Sequence, residues 1–524
     1  MLLAALAAVL AALLLAGTAA TAPAGCAKRT NNTYDKLLGC VTLEGVRAHQ
    51  AAFQAIADAS DDPNYPGTRA AGTEGYANSV DYVAGLLEDA GYNVTLDPFE
   101  FEFQFPAILR QLTPAPAADY ETGSFTNSGF GDVTAPVFPV DLNLTTPAAS
   151  TSGCQGDFTE AAVGAPIVPD PAGPDDFAGI APGDIALIQR GSCSFALKAT
   201  NAQSAGAAAV VIFNQGTPDR LALIIGTVAP ATPTIPVVGA SFADGVALAR
   251  AGSTARVRVL PSETRTDYNV IAELPGANTN NVVMAGAHLD SVQAGPGIND
   301  NGSGSAAILE TALMMAKLKP ENTLRFAWWG AEEEGLIGST AYVEELSPAE
   351  LDRIALYLNY DMVGSPNYIF MVYDADQSSF PPPAGVPIPA GSIAIEDLFE
   401  SYYTLVGEPY DDAQFSGRSD YQAFIEAGIA SGGLFTGAEQ VKTAEQQAIW
   451  GGTTGAQFDP CYHLACDTFA NVNLHALDVN SDLIAYAQLA YAYSTQSVNG
   501  VPGKKVPGSS PLPAPAGPEG TFVP

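Results

Sequence analysis

The 524-residue chain is 47% hydrophobic and 15% charged, which excludes a wholly disordered polypeptide. Its net charge of −35 reflects a shortage of bases, 21 Lys and Arg against 56 Asp and Glu, and argues against binding to DNA, RNA or an anionic membrane surface. At roughly 100–200 residues per domain, the length allows two to four domains.

Met1 to Ala16 contains only Met, Ala, Val and Leu, and small residues follow through Pro23. An apolar core followed by small residues reads as a secretory signal, residues 1–22, although the run lacks an initial Lys or Arg. An uncleaved membrane anchor is the alternative. No later stretch approaches the roughly 18 apolar residues of a membrane span, so no membrane contact is expected after signal removal, and a secreted protein is expected, with a vacuolar or periplasmic one as the alternative. Export bears on the cysteines Cys26, Cys40, Cys154, Cys193, Cys461 and Cys466. An even count favours disulfides in that setting, and proximity suggests 26–40, 154–193 and 461–466. Asn31, Asn93 and Asn143 begin N-x-S/T triplets that would accept glycans in a eukaryotic host.

Helical spacing of Val46, Phe53 and Ile56 predicts a helix over 41–58. Val80, Val83 and Leu87 predict a second over Ala77–Ala90, stopped by Gly91. Tyr92–Phe105 alternates like a strand or hairpin. Residues 106–265 are rich in Pro, Gly, Ala and Thr. Within them Ile185–Gln189, Phe195–Ala205 and Ala209–Phe213 read as β-α-β, with no cluster of acids and His, so 130–260 is read as a separate non-catalytic insert. It divides a larger domain into 23–129 and 261–496. The second part reads as regular α/β, with strands over Asn269–Glu273, Val282–Ala287, Thr323–Trp329, Ile354–Asp361 and Tyr368–Tyr373, and a buried helix over Ser305–Leu318. Near-continuous apolar strands imply a mixed, mostly parallel sheet sandwiched by helices. The tail, 497–524, is rich in Pro, Gly and Ser and is expected to be disordered.

Ligands of open α/β sheets bind beyond the carboxyl ends of the strands. Here one strand runs into His288-Leu289-Asp290, the next into Glu332-Glu333-Glu334 and another ends at Asp361, while Asp300 sits in a tight loop before a helix. Such convergence suits zinc, which takes imidazole nitrogen and carboxylate oxygen. Of the four histidines, His288 ends a buried strand beside Asp290, as a ligand held by a neighbouring carboxylate would. His463 lies between Cys461 and Cys466, where a short disulfide loop would fix it and Tyr462. The rival reading, with these cysteines as metal ligands, is disfavoured by export. His49 lies on an amphipathic helix and His475 in a polar stretch; neither is read as a ligand. Gly302-Ser303-Gly304-Ser305-Ala306-Ala307 matches a dinucleotide motif but does not directly follow a strand, and Gly297 occupies the first acidic place of an EF-hand-like loop. No G-x-S-x-G elbow occurs.

The stretches GAHLDSVQAGPGINDNGSGSAAILE (286–310), FAWWGAEEEGLIGST (326–340), LNYDMVG (358–364), FSGRSDYQAF (415–424), GGLFTGAEQ (432–440) and DPCYHLACDT (459–468) together resemble the two-zinc aminopeptidases of family M28. GDIALIQRGSCSFALKATNAQSAGAAAVVIFN resembles a small α+β protease-associated domain, which recurs as an insert in that family. The resemblance implies a zinc exopeptidase fold, two zinc ions and peptide substrates. It implies His288 and Asp361 on one ion, Glu333 and His463 on the other, and Asp300 bridging both. Asp290 would orient His288, and Glu332 would be the general base, leaving Glu334 in the family's variable place. Tyr462 would stabilise an oxyanion, and Arg418 would help place the substrate terminus. The chemistry agrees, since paired metals clamp the attacking and departing oxygens while a carboxylate moves the proton. Rival readings are carboxypeptidase action or glutaminyl cyclisation on the same scaffold, or a binding protein that has lost the metals. The side-chain preference is not readable from the sequence.

Overall fold

The computed structural model describes residues 25–154, 176–381 and 387–519. The expected signal therefore falls outside the described residues. The chain forms two compact units, one from Met1–Phe101 with Thr264–Pro524 and the other from Glu102–Glu263. In chain order the strands are β1 (Asn93–Phe103), β2 (Ile108–Thr113), β3 (Ala118–Tyr120), β4 (Gly131–Val140), β5 (Ile185–Gln189), β6 (Ala209–Phe213), β7 (Val237–Ala240) and β8 (Thr254–Val259). They continue with β9 (Glu263–Leu274), β10 (Asn278–His288), β11 (Asn322–Trp329), β12 (Ile354–Tyr360), β13 (Met371–Tyr373), β14 (Asp411–Ala413) and β15 (Ser431–Phe435).

The larger unit is built on an eight-stranded sheet of order β1-β9-β11-β10-β12-β15-β13-β14. β10 pairs in parallel with both β11 and β12, β12 with β15, and β13 with β14, while β9–β11 and β13–β15 are antiparallel. The central strands β10 to β12 carry almost no exposed residue because helices cover both faces. Trp328 and Trp329 are fully buried, and Tyr357 stacks on Phe424 with ring centroids 3.8 Å apart. Each buried aromatic or aliphatic side chain of this kind contributes about 1.5–3 kcal/mol. The helix Gly302–Met315 is buried nearly all round, as its apolar composition requires. Asn301 caps it by accepting from the Gly304 N–H at 3.0 Å. A Cβ on Gly304 would collide with the Tyr360 carbonyl, so a glycine there lets the helix approach the end of β12.

The smaller unit has a seven-stranded sheet of order β3-β2-β8-β4-β5-β6-β7, with helices Phe195–Ser204 and Phe242–Leu248. It starts well before residue 130, because β2 pairs antiparallel with β8, a contact across more than a hundred residues that local pattern does not reveal. The structure forms the disulfides Cys26–Cys40, Cys154–Cys193 and Cys461–Cys466.

Two expectations need correction. Asn31 is 1% exposed, and its amide donates to the carbonyls of Cys26 and Met314, so the atom that would carry a glycan is buried and occupied. The tail is not free through residue 519. It has almost no regular structure, but Lys504 N–H donates to Tyr493 O at 2.9 Å and Gly517 N–H to Tyr410 Oη at 2.8 Å, with Leu512 packed on the core. Its prolines forbid helix and sheet without forbidding extended docking.

Candidate metal centre

Three parallel strands deliver their following residues to one edge of the larger sheet. His288 closes β10 in register with Trp329 at the end of β11, and Glu332 and Glu333 come just beyond. Asp361 follows β12 directly. Asp300 comes from the loop before the helix Gly302–Met315, and His463 from the disulfide loop.

These side chains converge. His288 Nε2 lies 3.2 Å from Asp300 Oδ1 and 3.4 Å from Asp361 Oδ1. His463 Nε2 lies 3.4 Å from Asp300 Oδ2 and 3.0 Å from Glu333 Oε2. Asp300 thus turns one oxygen to each imidazole and joins two three-residue clusters able to hold an ion, His288/Asp300/Asp361 and Asp300/Glu333/His463. Glu332 Oε2 stands 3.9 Å from His288 Nε2. Glu334 turns away and accepts from Gln293 Nε2.

The donor set fits zinc. His288 Nε2, Glu333 Oε1 and Asp361 Oδ1 are buried without hydrogen-bond partners, an expensive arrangement unless a cation completes it. Nitrogen and carboxylate donors suit that ion, and His463, with a side chain 42% exposed, leaves the site open on one side.

The protonation balance points the same way. Burial pushes the Glu333 carboxyl up to about 8, with Asp300 adding to the push. Burial also drives Glu332 well above the usual range; His288 pulls it down, while Asp361, Glu333 and Asp420 push it up further. Burial disfavours charge on His288 and His463, yet the surrounding carboxylates hold both imidazoles above their ordinary value, His463 at about 10. Asp300 moves the other way, since the two imidazoles beside it favour its charged form and outweigh its burial. The cluster needs positive charge at its centre, as protons or as metal.

Several holding residues escaped the sequence reading. The Asp467 carboxylate accepts the N–H groups of Asn299 and Asp300, each at 2.9 Å. Asp459 accepts from Asn299 Nδ2 at 2.7 Å and from Cys461 N–H at 2.8 Å, tying the Asp300 loop to the His463 loop. Ser419 Oγ donates to Asp361 Oδ2 at 2.7 Å. The fully buried Arg69 donates to the carbonyls of Leu289, Pro296 and Gly297. Asp459, Asp467 and Ser419 lie inside the motif stretches, which was their only signal in the sequence; Arg69, in the Pro/Gly-rich loop after the first long helix, had none.

Asp290 acts in two directions. Its backbone carbonyl is the nearer acceptor for His288 Nδ1, at 3.2 Å against 3.6 Å for the carboxylate. The carboxylate accepts the N–H groups of Glu332 and Glu333, at 3.2 and 3.3 Å, and so holds the glutamate loop against the end of β10. His49 and His475 lie elsewhere, the first against Glu310 and Tyr82 and the second against Glu408.

A cavity of about 550 Å³ opens beside the cluster. Asp300, Glu332 and His463 reach it on one side, and Met371, Tyr373 and Phe435 form an apolar wall. At its mouth Arg418 donates to Glu439 Oε1 at 2.7 Å and to Tyr462 Oη at 3.0 Å. The Tyr462 ring stacks on His463, with centroids 3.8 Å apart.

Residues 269–488 match peptidase family M28, and residues 133–248 match the PA domain. An aminopeptidase of Pseudomonas aeruginosa is 46% identical over 471 residues, covering 88% of this chain and 83% of the relative. A probable lipoprotein aminopeptidase of Mycobacterium tuberculosis is 40% identical, covering 88% and 87%. Among solved structures, a zinc aminopeptidase of Bacillus subtilis superposes with a TM-score of 0.55 at 25% identity, covering 87% of this chain and 97% of the other. The chain therefore belongs to peptidase family M28 and carries a PA domain inserted in the peptidase fold.

Proposed function

We propose that the protein is an exported aminopeptidase that removes the first residue of peptides with a free α-amine, using two zinc ions. The observation that carries this reading is the placement of Asp300 between His288 and His463, with one oxygen toward each. His288 and Asp361 would hold one ion, Glu333 and His463 the other, and Asp300 both. When bound, the ions supply Lewis acidity that lowers the pKa of an attacking water and polarises the substrate carbonyl.

The remaining work falls to the chain. Glu332, made basic by burial and by neighbouring carboxylates, takes the proton of the water and returns it to the departing amine. Tyr462 accepts a hydrogen bond from Arg418, so its own proton is free to donate to the developing oxyanion. The carboxylates around the cluster favour a cationic substrate amine, and the Met371/Tyr373/Phe435 wall favours an apolar first side chain. The names of the Pseudomonas and Mycobacterium relatives support aminopeptidase action, and the Bacillus title supports zinc. The disulfides and the apolar N-terminal run support export. Among the described residues no helix is long and apolar enough to cross a membrane.

The test is zinc content and Leu-p-nitroanilide hydrolysis by the wild type and Glu332→Gln, with N-acetylated substrate alongside. About two zincs in both proteins, activity lost only in the variant, and no cleavage of the blocked substrate are expected. Equal cleavage of blocked and free substrates would sink aminopeptidase action, and an active variant would remove Glu332 as the base.

A further inference from the structure

A second set of acids lies on the far side of the strands that wall the cavity. Glu396 and Glu400 sit one turn apart on the helix Ser392–Val406, and Asp412 sits on β14. One oxygen from each falls within 4.8 Å of the others. The residues are only 4%, 8% and 0% exposed. Like charges four residues apart oppose a helix, and the charged groups acting on this set are further acids: Asp374, Asp376 and Asp397.

Hydrogen bonds satisfy only part of it. Glu396 Oε2 accepts the N–H groups of Ala375 and Asp376 at 3.1 and 2.9 Å. Asp412 Oδ2 accepts the hydroxyls of Ser378 and Ser379. Asp412 Oδ1 is buried with no hydrogen-bond partner, while its Oδ2 is taken by the two hydroxyls. An orphaned carboxylate oxygen among buried carboxylates is costly unless a cation fills the space.

We propose that Glu396, Glu400 and Asp412 form a calcium site that braces one wall of the substrate cavity, the role of that wall resting on the aminopeptidase reading. The donors are all oxygen, which excludes the softer preferences of zinc and copper and selects a hard cation. Calcium accepts irregular shells of carboxylates and carbonyls, whereas magnesium demands near-octahedral geometry and keeps its waters. Asp376, exposed at the rim, offers an entry route. β13 and β14 run in register, Met371 with Asp411, Val372 with Asp412 and Tyr373 with Ala413. Side chains alternate along a strand, so Asp412 faces the ion while Met371, Tyr373 and Ala413 line the cavity.

The experiment uses the full zinc-loaded chain, freed of calcium and titrated with calcium, magnesium or terbium. Calcium should raise Tm by roughly 5 °C, sensitised terbium luminescence should report about one site that calcium displaces, and KM for Leu-p-nitroanilide should fall severalfold with little change in kcat. Asp412→Asn and Glu400→Gln should bind calcium at least about tenfold more weakly at unchanged zinc content. Both should match or exceed the wild-type Tm without calcium, because each removes a buried charge. No calcium-dependent Tm shift and no terbium signal in the wild type would overturn the site, as would undiminished binding in both variants. An equal response to magnesium would overturn the choice of calcium, and a Tm shift with unmoved KM would overturn the bracing. Tm and terbium read the site even if no aminopeptidase substrate is cleaved, so the two readings fail separately.

Discussion

Asp467 holds Asp300 by its backbone: the Asp467 carboxylate receives the N–H groups of Asn299 and Asp300 at 2.9 Å each. The residue with an oxygen toward each imidazole is therefore placed by a carboxylate that touches neither. Asp467 is itself 2% exposed and follows the His463 loop in sequence, so one short segment supplies His463 and fixes Asp300.

Asp467→Asn removes one of two carboxylate acceptors and leaves a buried N–H unsatisfied. Partners behind metal ligands typically account for 10–100-fold in metal affinity or activity. The expected result is zinc bound about tenfold or more weakly, with activity recovered in part by added zinc. Zinc titration against a chromophoric chelator measures it. Unchanged affinity would mean that Asp300 is held by the fold alone.

Tyr462→Phe removes the hydroxyl that Arg418 orients. Loss of one oxyanion donor lowers kcat about 10²–10³-fold. KM should change little, because the bond strengthens only as charge develops. Arg418→Ala should cost less, and in the Tyr462→Phe background it should cost almost nothing if Arg418 acts through Tyr462. Steady-state kinetics of the two single variants and the double variant decide between coupled and independent roles.

How much of this was legible in the sequence varies with the range of the interaction. β5 and β6 fall at the residues that apolar runs mark, and β10 to β12 lie within a few residues of their expected ends, because buried strands announce themselves locally. The clustered residues His288, Asp300, Glu333, Asp361 and His463 carry their signal in motif and strand-end position. Arg69 has no such signal, since its role is to close three carbonyls of a loop more than two hundred residues away. The start of the inserted unit was hidden for the same reason, as β2 finds its partner only in β8. The acids of Glu396, Glu400 and Asp412 look in sequence like ordinary surface charge, and only folding shows that they are buried together.

The Cys461–Cys466 bridge encloses the segment that presents His463, which adopts a left-handed conformation at φ 57°. A left-handed non-glycine residue persists only where its surroundings impose it. Replacing both cysteines by serine should therefore loosen His463 and weaken one zinc more than the other. The expected readout is biphasic zinc loss on chelator titration, against a single phase in the wild type. Wild-type behaviour in the variant would show that Asp459 and the stacked Tyr462 suffice to hold the loop.

The acid cluster beside the cavity gives a pH prediction with a definite sign. Burial, aided by neighbouring acids, pushes Glu396 up to about 9 and Glu400 to about 7; Asp411 rises to about 7 by burial and the Asp412 charge. The charged groups facing them are Asp374 and Asp376 from the loop, Asp397 from the helix, Asp412 from β14 and Glu519 from the tail, all acids, and the Tyr410 hydroxyl hydrogen-bonds Glu400 and offsets part of its rise. A carboxyl with a raised folded pKa binds more protons in the folded than in the unfolded state between the two values, so stability falls as pH rises through that window. Below about pH 4.5 this group of acids costs nothing, and the full cost is reached only above the folded values. Tm of calcium-free, zinc-loaded protein should therefore decline between about pH 5 and 9. Saturating calcium should flatten the decline, because it replaces the protons that the folded state would otherwise take up. Glu400→Gln should flatten part of it without calcium, since one titrating group is gone. A Tm profile that declines equally with and without calcium would place the titration elsewhere in the molecule.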